Sequence, residues 1–118
     1  MKLNILGTEY QIITSDYAIG SYFDKRSASG FCDSQTHTIG ICNIATYPGF
    51  EHEPPEHCAV YQKEVLRHEI IHAFLAESGL DDSALTLECS WARNEEMVDW
   101  FAIQGAKIYR AWQAAGAL

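Results

Sequence analysis

Apolar and polar residues alternate in short runs over the first part of the chain. The runs at 3–6 (LNIL) and 10–14 (YQIIT) flank Gly7-Thr8, which suits a two-residue hairpin turn with glycine in its first position. Three further short segments are predicted to be extended: 20–23 (GSYF), 30–32 (GFC) and 37–44 (HTIGICNI). Residues 1–46 are therefore expected to form a small, largely antiparallel sheet, either fully antiparallel or mixed.

The second part of the chain changes to helical spacing after a connector at 47–55, which contains Pro48, Gly49, Pro54 and Pro55. A first helix is predicted over 56–79. It should begin near Pro55, because proline is tolerated in a first helical turn, and end at Gly79, because glycine accepts the left-handed conformation of a helix cap.

A second helix is predicted over 94–115, with Asn94 as its N-cap and acidic residues in its first turn. A loop, with room for one helical turn, separates it from the first helix. Gly105 interrupts the helical pattern at a point where it is expected to allow close packing. Apolar residues at helical spacing are expected to face the core: Val98, Phe101, Ala102, Ile108, Tyr109 and Trp112. The prediction is a single α+β domain over 1–118, a small N-terminal sheet followed by two long packed helices.

Composition and charge narrow the function classes. The chain has 118 residues, 47% of them hydrophobic, with a formal net charge of −8. That charge argues against a nucleic-acid partner, because a phosphate backbone requires clustered Lys and Arg. The N-terminal residues do not fit a signal peptide, and no apolar run approaches the length of a membrane span. We expect a cytoplasmic protein with neither a nucleic-acid nor a membrane partner.

The four cysteines, Cys32, Cys42, Cys58 and Cys89, form no CxxC pair, so neither a zinc-thiolate site nor a redox motif is indicated. A disulfide between Cys32 and Cys42 across a hairpin is one interpretation. Small buried reduced thiols are the favoured one, given the expected compartment.

The segment 66–80, LRHEIIHAFLAESGL, carries the main functional signal. On a helix, His68 and His72 lie on one face and can present their rings to a common point. Glu69 follows about 100° further round, close enough to act on a water held there. This HExxH arrangement is typical of a zinc site in which two imidazoles bind Zn²⁺ and the glutamate acts as general base.

A catalytic zinc usually has a third protein ligand. Asp81 and Asp82 follow the helix too closely to reach back to its middle, and Glu88 lies in the loop. Glu95 and Glu96 open the second helix, which can bring its first turn beside the histidines if it packs antiparallel. Glu95 is favoured over Glu96, because Asp99 follows four residues later and can accept the spare N–H of a ligating histidine.

The motif HEIIH at 68–72, followed by NEEMVDWFA at 94–102, resembles the gluzincin metallopeptidases, whose third ligand is a Glu in an Asn-Glu-x-x-x-Asp segment. The closer resemblance is to the ImmA/IrrE-type family of phages, mobile elements and bacteria, in which a glutamate stands six positions before Phe-Ala, as Glu95 does here. The resemblance implies a minimal zincin-like domain with one Zn²⁺ held by His68, His72 and Glu95. It also implies that Glu69 activates a zinc-bound water to cleave a peptide bond of an intracellular protein.

Several alternatives stay open at the level of sequence. The domain could be a catalytically idle zinc-binding module, a zinc-stabilised structural protein, or a hydrolase of another amide bond. The strand at 37–44 could pair with an extended substrate as a sheet edge. His52 and His57 are better explained as solvated loop residues than as a second metal site, and Trp91, Trp100 and Trp112 as core and interface anchors. Residues able to stabilise an oxyanion are Tyr47, His37, Arg67 and Arg93.

Overall fold

The computed structural model describes residues 1–82 and 91–118. The elements follow in the order β1 (Lys2–Ile5), β2 (Thr8–Ser15), α1 (Tyr22–Arg26), β3 (Gly30–Asp33), β4 (Thr38–Cys42), α2 (Pro55–Glu77) and α3 (Glu95–Ala114). Short 3-10 turns at Ile44–Thr46 and Trp91–Arg93 follow β4 and precede α3. The predicted α+β class is confirmed. Among the described residues, no helix combines the length and the apolar character needed to cross a membrane.

The sheet is mixed, with the spatial order β1-β2-β4-β3. The two outer pairs are antiparallel, whereas the central pair β2 and β4 is parallel, with Ile12 opposite Ile39. Strand β4 therefore lies inside the sheet, and the expectation that 37–44 offers a free edge to a substrate is wrong. After β2 the chain passes through α1 and β3, and β4 then inserts between β2 and β3. Strand β3 is therefore the outer strand on that side of the sheet.

Two local predictions in the N-terminal region are wrong. The first hairpin turn is Leu6-Gly7, with Ile5 opposite Thr8, so glycine is second in the turn. Leu6 and Gly7 have φ values of 49° and 96°. Positive φ at both central positions characterises the turn type that matches the twist of a hairpin.

Residues 20–23, expected to be extended, instead lead into the short helix α1. The side chain of Ser21 caps this helix by accepting a hydrogen bond from the backbone N–H of Asp24. Phe23 is 4% exposed and Tyr22 lies against Phe31, with ring centroids 4.6 Å apart. Tertiary packing of these aromatic rings on one face of the sheet stabilises a helix where the local sequence favoured a strand.

The other face of the sheet forms the main core with α2. Ile12, Ile39 and Ile41 come from the central strands and are at most 7% exposed. Helix α2 turns one stripe toward them, and the buried residues of that stripe are Cys58, Val65, Glu69 and Ala73. Three of these four are small or apolar, whereas the fourth is a carboxylic acid.

The register of β3 and β4 excludes a disulfide between Cys32 and Cys42. Cys32 lies opposite Ile39 in the β3–β4 pair, whereas Cys42 comes after that pairing and its N–H donates to the carbonyl oxygen of Ser29. Cys32, Cys42 and Cys58 are free thiols, of which the last two are buried. Burial raises the pKa of the Cys32 thiol to about 12, which keeps it protonated and unreactive. Cys89 and Glu88 lie outside the described residues, as does most of the predicted loop between the long helices.

The predicted helix boundaries are close to the observed ones, but the predicted core face of α3 is only partly correct. Val98 and Ala102 are fully buried, as expected, because they pack toward α2. Phe101, Tyr109 and Trp112 are 43%, 51% and 53% exposed, because the rest of the domain covers only a narrow stripe of this helix.

The narrow contact of α3 also contradicts two further predictions, close packing at Gly105 and core positions for the three tryptophans. A Cβ on Gly105 would meet nothing within 4 Å, so this glycine serves no close packing. Trp91 and Trp100 are 61% and 54% exposed, like Trp112, so none of the three is a core anchor.

A hydrogen-bonded carboxylate fastens the end of α2 to the start of β2. Glu77 accepts hydrogen bonds from the hydroxyls of Thr8 and Tyr10, at 2.7 and 2.8 Å. These bonds lower the pKa of Glu77 from its usual value of 4.5. The resulting stabilisation is present above pH 4.5 and is lost as the pH falls through the lowered pKa of the folded protein.

We expect Tyr10→Phe to lower the free energy of unfolding by about 1–2 kcal/mol at pH 7, because it removes a hydrogen bond to a charged group while keeping the ring. The difference from the wild type should shrink as the pH falls below 4.5 and through the lowered pKa of Glu77. Urea denaturation over a series of pH values from 7 down to 2 measures both effects. Tyr22→Phe is the matched control, since the Tyr22 hydroxyl makes no hydrogen bond within the described residues, and an equal loss in the two variants would contradict the prediction.

Candidate metal centre

The two histidines of α2 lie at the wall of an open cleft between this helix, β3 and the start of α3. His68 and His72 are one helical turn apart, and their side chains are 19% and 23% exposed. Helix α3 supplies Glu95 from its first turn and Asp99 from the next, with side chains 67% and 61% exposed. The sequence-predicted site residues thus come together from two helices.

Three contacts fix the start of α3 at this place. The side chain of Asn94 caps the helix by accepting a hydrogen bond from the N–H of Met97 at 2.8 Å. The guanidinium of Arg93 donates to the carbonyl oxygen and the carboxylate of Asp81, just after α2, at 3.2 and 3.3 Å. Arg67, on α2, donates to the carbonyl oxygen of Ala102 on α3. These contacts place Glu95 beside the middle of α2.

The polar atoms of His68, His72 and Glu95 meet at the spacing of metal ligands. The two Nε2 atoms are 3.0 Å apart, and the Glu95 carboxylate lies 3.1 Å from His68 Nε2 and 3.3 Å from His72 Nε2. Ligand atoms about 2.0–2.1 Å from a tetrahedral zinc stand roughly 3.3 Å from one another. Two imidazoles and one carboxylate are also a donor set that Zn²⁺ accepts, so the residues present fit the ion.

The hydrogen bond of His68 and the pKa of His72 are also consistent with metal binding. Asp99 Oδ1 lies 2.7 Å from His68 Nδ1, and an ionised carboxylate only accepts, so Nδ1 carries a proton and Nε2 is the ring atom that faces the centre. Burial lowers the pKa of His72 from its usual 6.5, which favours the neutral ring at pH 7. Neutral imidazoles are the form that binds a metal.

Glu69 occupies a different environment from the other carboxylates. It is 7% exposed, and within the described part of the chain its carboxylate makes no hydrogen bond. Burial raises the pKa of Glu69 from 4.5 to about 7, opposed by the nearby His68 and assisted by the negative charge of Glu95 and Asp99. Its position on the sheet-facing stripe of α2 is what removes it from water.

Two carboxylates are close enough to the histidines to be considered as the third ligand. The ligand atoms of His68, Glu69 and His72 all lie within 4.8 Å of one another. Glu95 is closer, in direct contact with both Nε2 atoms at 3.1–3.3 Å, which favours it over Glu69 as the third ligand. Glu96, the other candidate, is exposed and has no polar contact with either histidine.

Gly30, the first residue of β3, sets how closely the outer strand approaches Glu69. A Cβ at this position would lie 2.8 Å from Glu69 Oε1 and 2.7 Å from Val65 Cγ1, closer than non-bonded atoms tolerate. No motif in the sequence points to Gly30, although a glycine within a strand is a known sign of close backbone approach. The Arg93–Asp81 contact has no sequence signal either.

Two cavities flank the centre and share four of their lining residues, Ala28, Gly30, His68 and Glu69. The larger, about 610 Å³, extends past His72 to Glu95, Arg93 and Cys32. The smaller, about 270 Å³, extends the other way along α2, past Asp99 to Glu64, Tyr61 and Tyr47.

Of the residues considered for oxyanion stabilisation, Arg93 lines the larger cavity and Tyr47 the smaller. Arg67 is bound to Ala102, and His37 lies against Tyr10 near Glu77 at the other end of α2, so neither borders the centre. In the connector, His57 contacts Glu53 at 3.3 Å, and the loop histidines belong to no three-ligand cluster among the described residues.

Comparison with models of protein families, with curated proteins and with solved structures gave no match to this chain. The likeness to gluzincins therefore stays a prediction from the two sequence motifs.

We expect Asp99→Asn to weaken zinc binding about 10- to 100-fold, because the amide no longer fixes the tautomer and orientation of His68. Glu95→Gln should weaken binding further, since it removes a ligand. A competition titration against a chromophoric chelator measures both affinities.

Glu96→Gln is the matched control, because it removes the neighbouring charge without touching the histidines. If Glu96→Gln weakened binding as much as Glu95→Gln, the assignment of the third ligand would be wrong.

Proposed function

We propose that this protein is a zinc-dependent peptidase of the HExxH…E type, acting on a peptide or protein substrate in the cytoplasm. The observation that carries the proposal is the buried carboxylate of Glu69, at the wall of an open cleft and beside three side chains at metal-ligand spacing. A structural metal site needs ligands alone. An additional carboxylate, buried at a cost and pointing into the cleft, supports a chemical role.

In this proposal His68, His72 and Glu95 hold the ion. Zinc, when bound, lowers the pKa of water and polarises a carbonyl group. Glu69 accepts the proton of the attacking water and transfers it to the nitrogen of the leaving amine. Burial raises the pKa of Glu69 to about 7 when no ion is bound, and the charge of a bound ion would lower it, so the carboxylate would be ionised and able to accept a proton at neutral pH.

The outer strand β3 supports a peptide as the substrate. It is the free edge of the sheet beside the centre, and its residues Gly30, Phe31 and Cys32 line the larger cavity. An extended chain can pair with such an edge through backbone hydrogen bonds. Because Gly30 has no side chain, a peptide paired there passes close to the Glu69 carboxylate.

One alternative has a specific observation in its favour. A catalytically idle zincin-like domain that binds a partner would use an exposed apolar surface, and α3 carries Trp100, Phe101 and Trp112 at 43–54% exposure. Such a module would not need Glu69. The two proposed functions therefore predict different effects of substituting Glu69.

We expect Glu69→Gln to retain zinc and to lose peptide cleavage by at least about 100-fold, because the amide cannot accept the proton. The measurement pairs elemental analysis of the purified protein with mass spectrometry of a peptide library incubated with it. His72→Ala should lose zinc and cleavage together.

Glu56→Gln, an exposed change in the first turn of α2, is the matched control for Glu69→Gln. Cleavage by Glu69→Gln at the wild-type rate would exclude the proposed role of Glu69. A wild type that binds zinc and cleaves nothing would favour the idle module.

We expect Gly30→Ala to lower cleavage about 10- to 100-fold while zinc remains bound, because the atoms nearest the added Cβ belong to Glu69 and Val65, so the Glu69 carboxylate is displaced. Gly105→Ala is the matched control. Its Cβ enters open space on a helix, so activity should be unchanged and stability should rise by up to about 1 kcal/mol. Equal cleavage by the two variants would show that the close approach at Gly30 has no functional role.

A further inference from the structure

The smaller cavity beside the centre differs chemically from the larger one. Its charged lining residues are Glu64, Glu69 and Asp99, all acidic, whereas the larger cavity also contains Arg93. At about 270 Å³ it lies just below the usual range of roughly 300–1,000 Å³ for sites that hold a whole small molecule. Its size suits a single side chain of a larger ligand.

Aromatic rings form one wall of this cavity. Tyr61 stacks on Phe50 with ring centroids 5.3 Å apart and an interplanar angle of 17°, and Phe50 in turn packs edge-on against Tyr47. Tyr47 and Tyr61 both line the cavity. Ring faces attract cations, so a wall fixed in this way favours a positively charged group.

Glu64 provides the charge at the open end. It lies one turn before His68 on α2, with about 6 Å expected between their Cβ atoms, and its carboxylate has no hydrogen-bond or ion-pair partner within the described residues. Glu69, 7% exposed and likewise without a hydrogen bond there, points into the cavity from the inner end. A divalent ion held with Glu95 leaves one net positive charge, and Glu64 and Asp99 carry two negative charges, so the cavity stays negative whether or not Glu69 is ionised.

We infer that this cavity is a specificity site that takes the cationic side chain of an arginine or a lysine next to the bond to be cleaved. This preference would define a substrate class for the proposed peptidase, so it rests on that proposed function. The aliphatic stem of such a side chain would lie along the tyrosine wall, and its charged end would face Glu64.

The test is a comparison of two short capped peptides that differ only in one residue, arginine or its uncharged isostere citrulline. The full-length protein with one equivalent of zinc is titrated with each peptide, binding is followed by NMR, and peptide integrity by mass spectrometry. The arginine peptide should bind at least about 10-fold more tightly and shift the ring resonances of Tyr47 and Tyr61. The ratio should fall with added salt.

Glu64→Gln should reduce the ratio to near one while the zinc content is unchanged, and Glu64→Lys should reverse it. Glu53→Gln, an exposed change before α2, should leave the ratio intact. Equal binding of the two peptides by the wild type, or a preference that survives Glu64→Gln, would overturn the inference.

Failure of the inference and failure of the proposed peptidase have different signatures. A preference for arginine without cleavage of either peptide would leave the specificity site supported and would count against the peptidase. Cleavage without any preference for arginine would do the reverse.

Discussion

The feature on which the candidate site depends is a carboxylic acid placed on the core-facing stripe of α2. Val65 and Ala73, four residues before and after Glu69, are buried against the sheet, and helical geometry puts Glu69 between them. A residue chosen for stability at this position would be apolar, since a buried carboxyl group without a hydrogen bond is unfavourable. The same burial raises the pKa of Glu69 to about 7, so the destabilising environment also brings the titration of this carboxyl group near neutral pH, as its proposed role as a base requires.

The rest of the centre is divided between two helices whose relative position is fixed by few contacts. Helix α2 supplies both histidines, whereas α3 supplies Glu95 and the Asp99 carboxylate that orients His68. The buried contact of α3 is confined to Val98 and Ala102, supplemented by polar contacts from Arg67 and Arg93. Two carboxylates close to one another repel unless a cation or protonated histidines lie between them, so metal binding would strengthen the junction of the two helices.

The strand order of the mixed sheet determines which elements border the cleft. Inserting β4 between β2 and β3 makes β3 the outer strand, and Gly30 lets that strand approach α2 without displacing Glu69. The cleft then opens to both sides of the centre. The larger cavity is bordered by an arginine, whereas the smaller has two tyrosines and three carboxylates among its lining residues. An asymmetry of this kind would give a peptide bound as proposed a direction as well as a position.

By itself, the sequence determined the fold class and placed the bounds of both long helices to within two residues, and it predicted which side chains come together at the candidate centre. Helical periodicity, the Asn94 cap, the prolines at 54 and 55 and the i, i+4 spacing of the histidines are all local signals that survive folding unchanged. Even the choice of Glu95 followed from a local relation, its spacing to Asp99.

Only the tertiary structure decided which strand is free, which apolar residues are covered, and which side chains border the centre. The parallel pairing of β4, the helix at 22–26 and the register that separates Cys32 from Cys42 all depend on contacts between distant segments. Phe101, Tyr109 and Trp112 lie on a face with the correct period, yet about half of each side chain stays exposed because the described elements cover only part of that face. Periodicity records which residues share a side of a helix, and whether that side is covered depends on the size and position of the neighbouring elements.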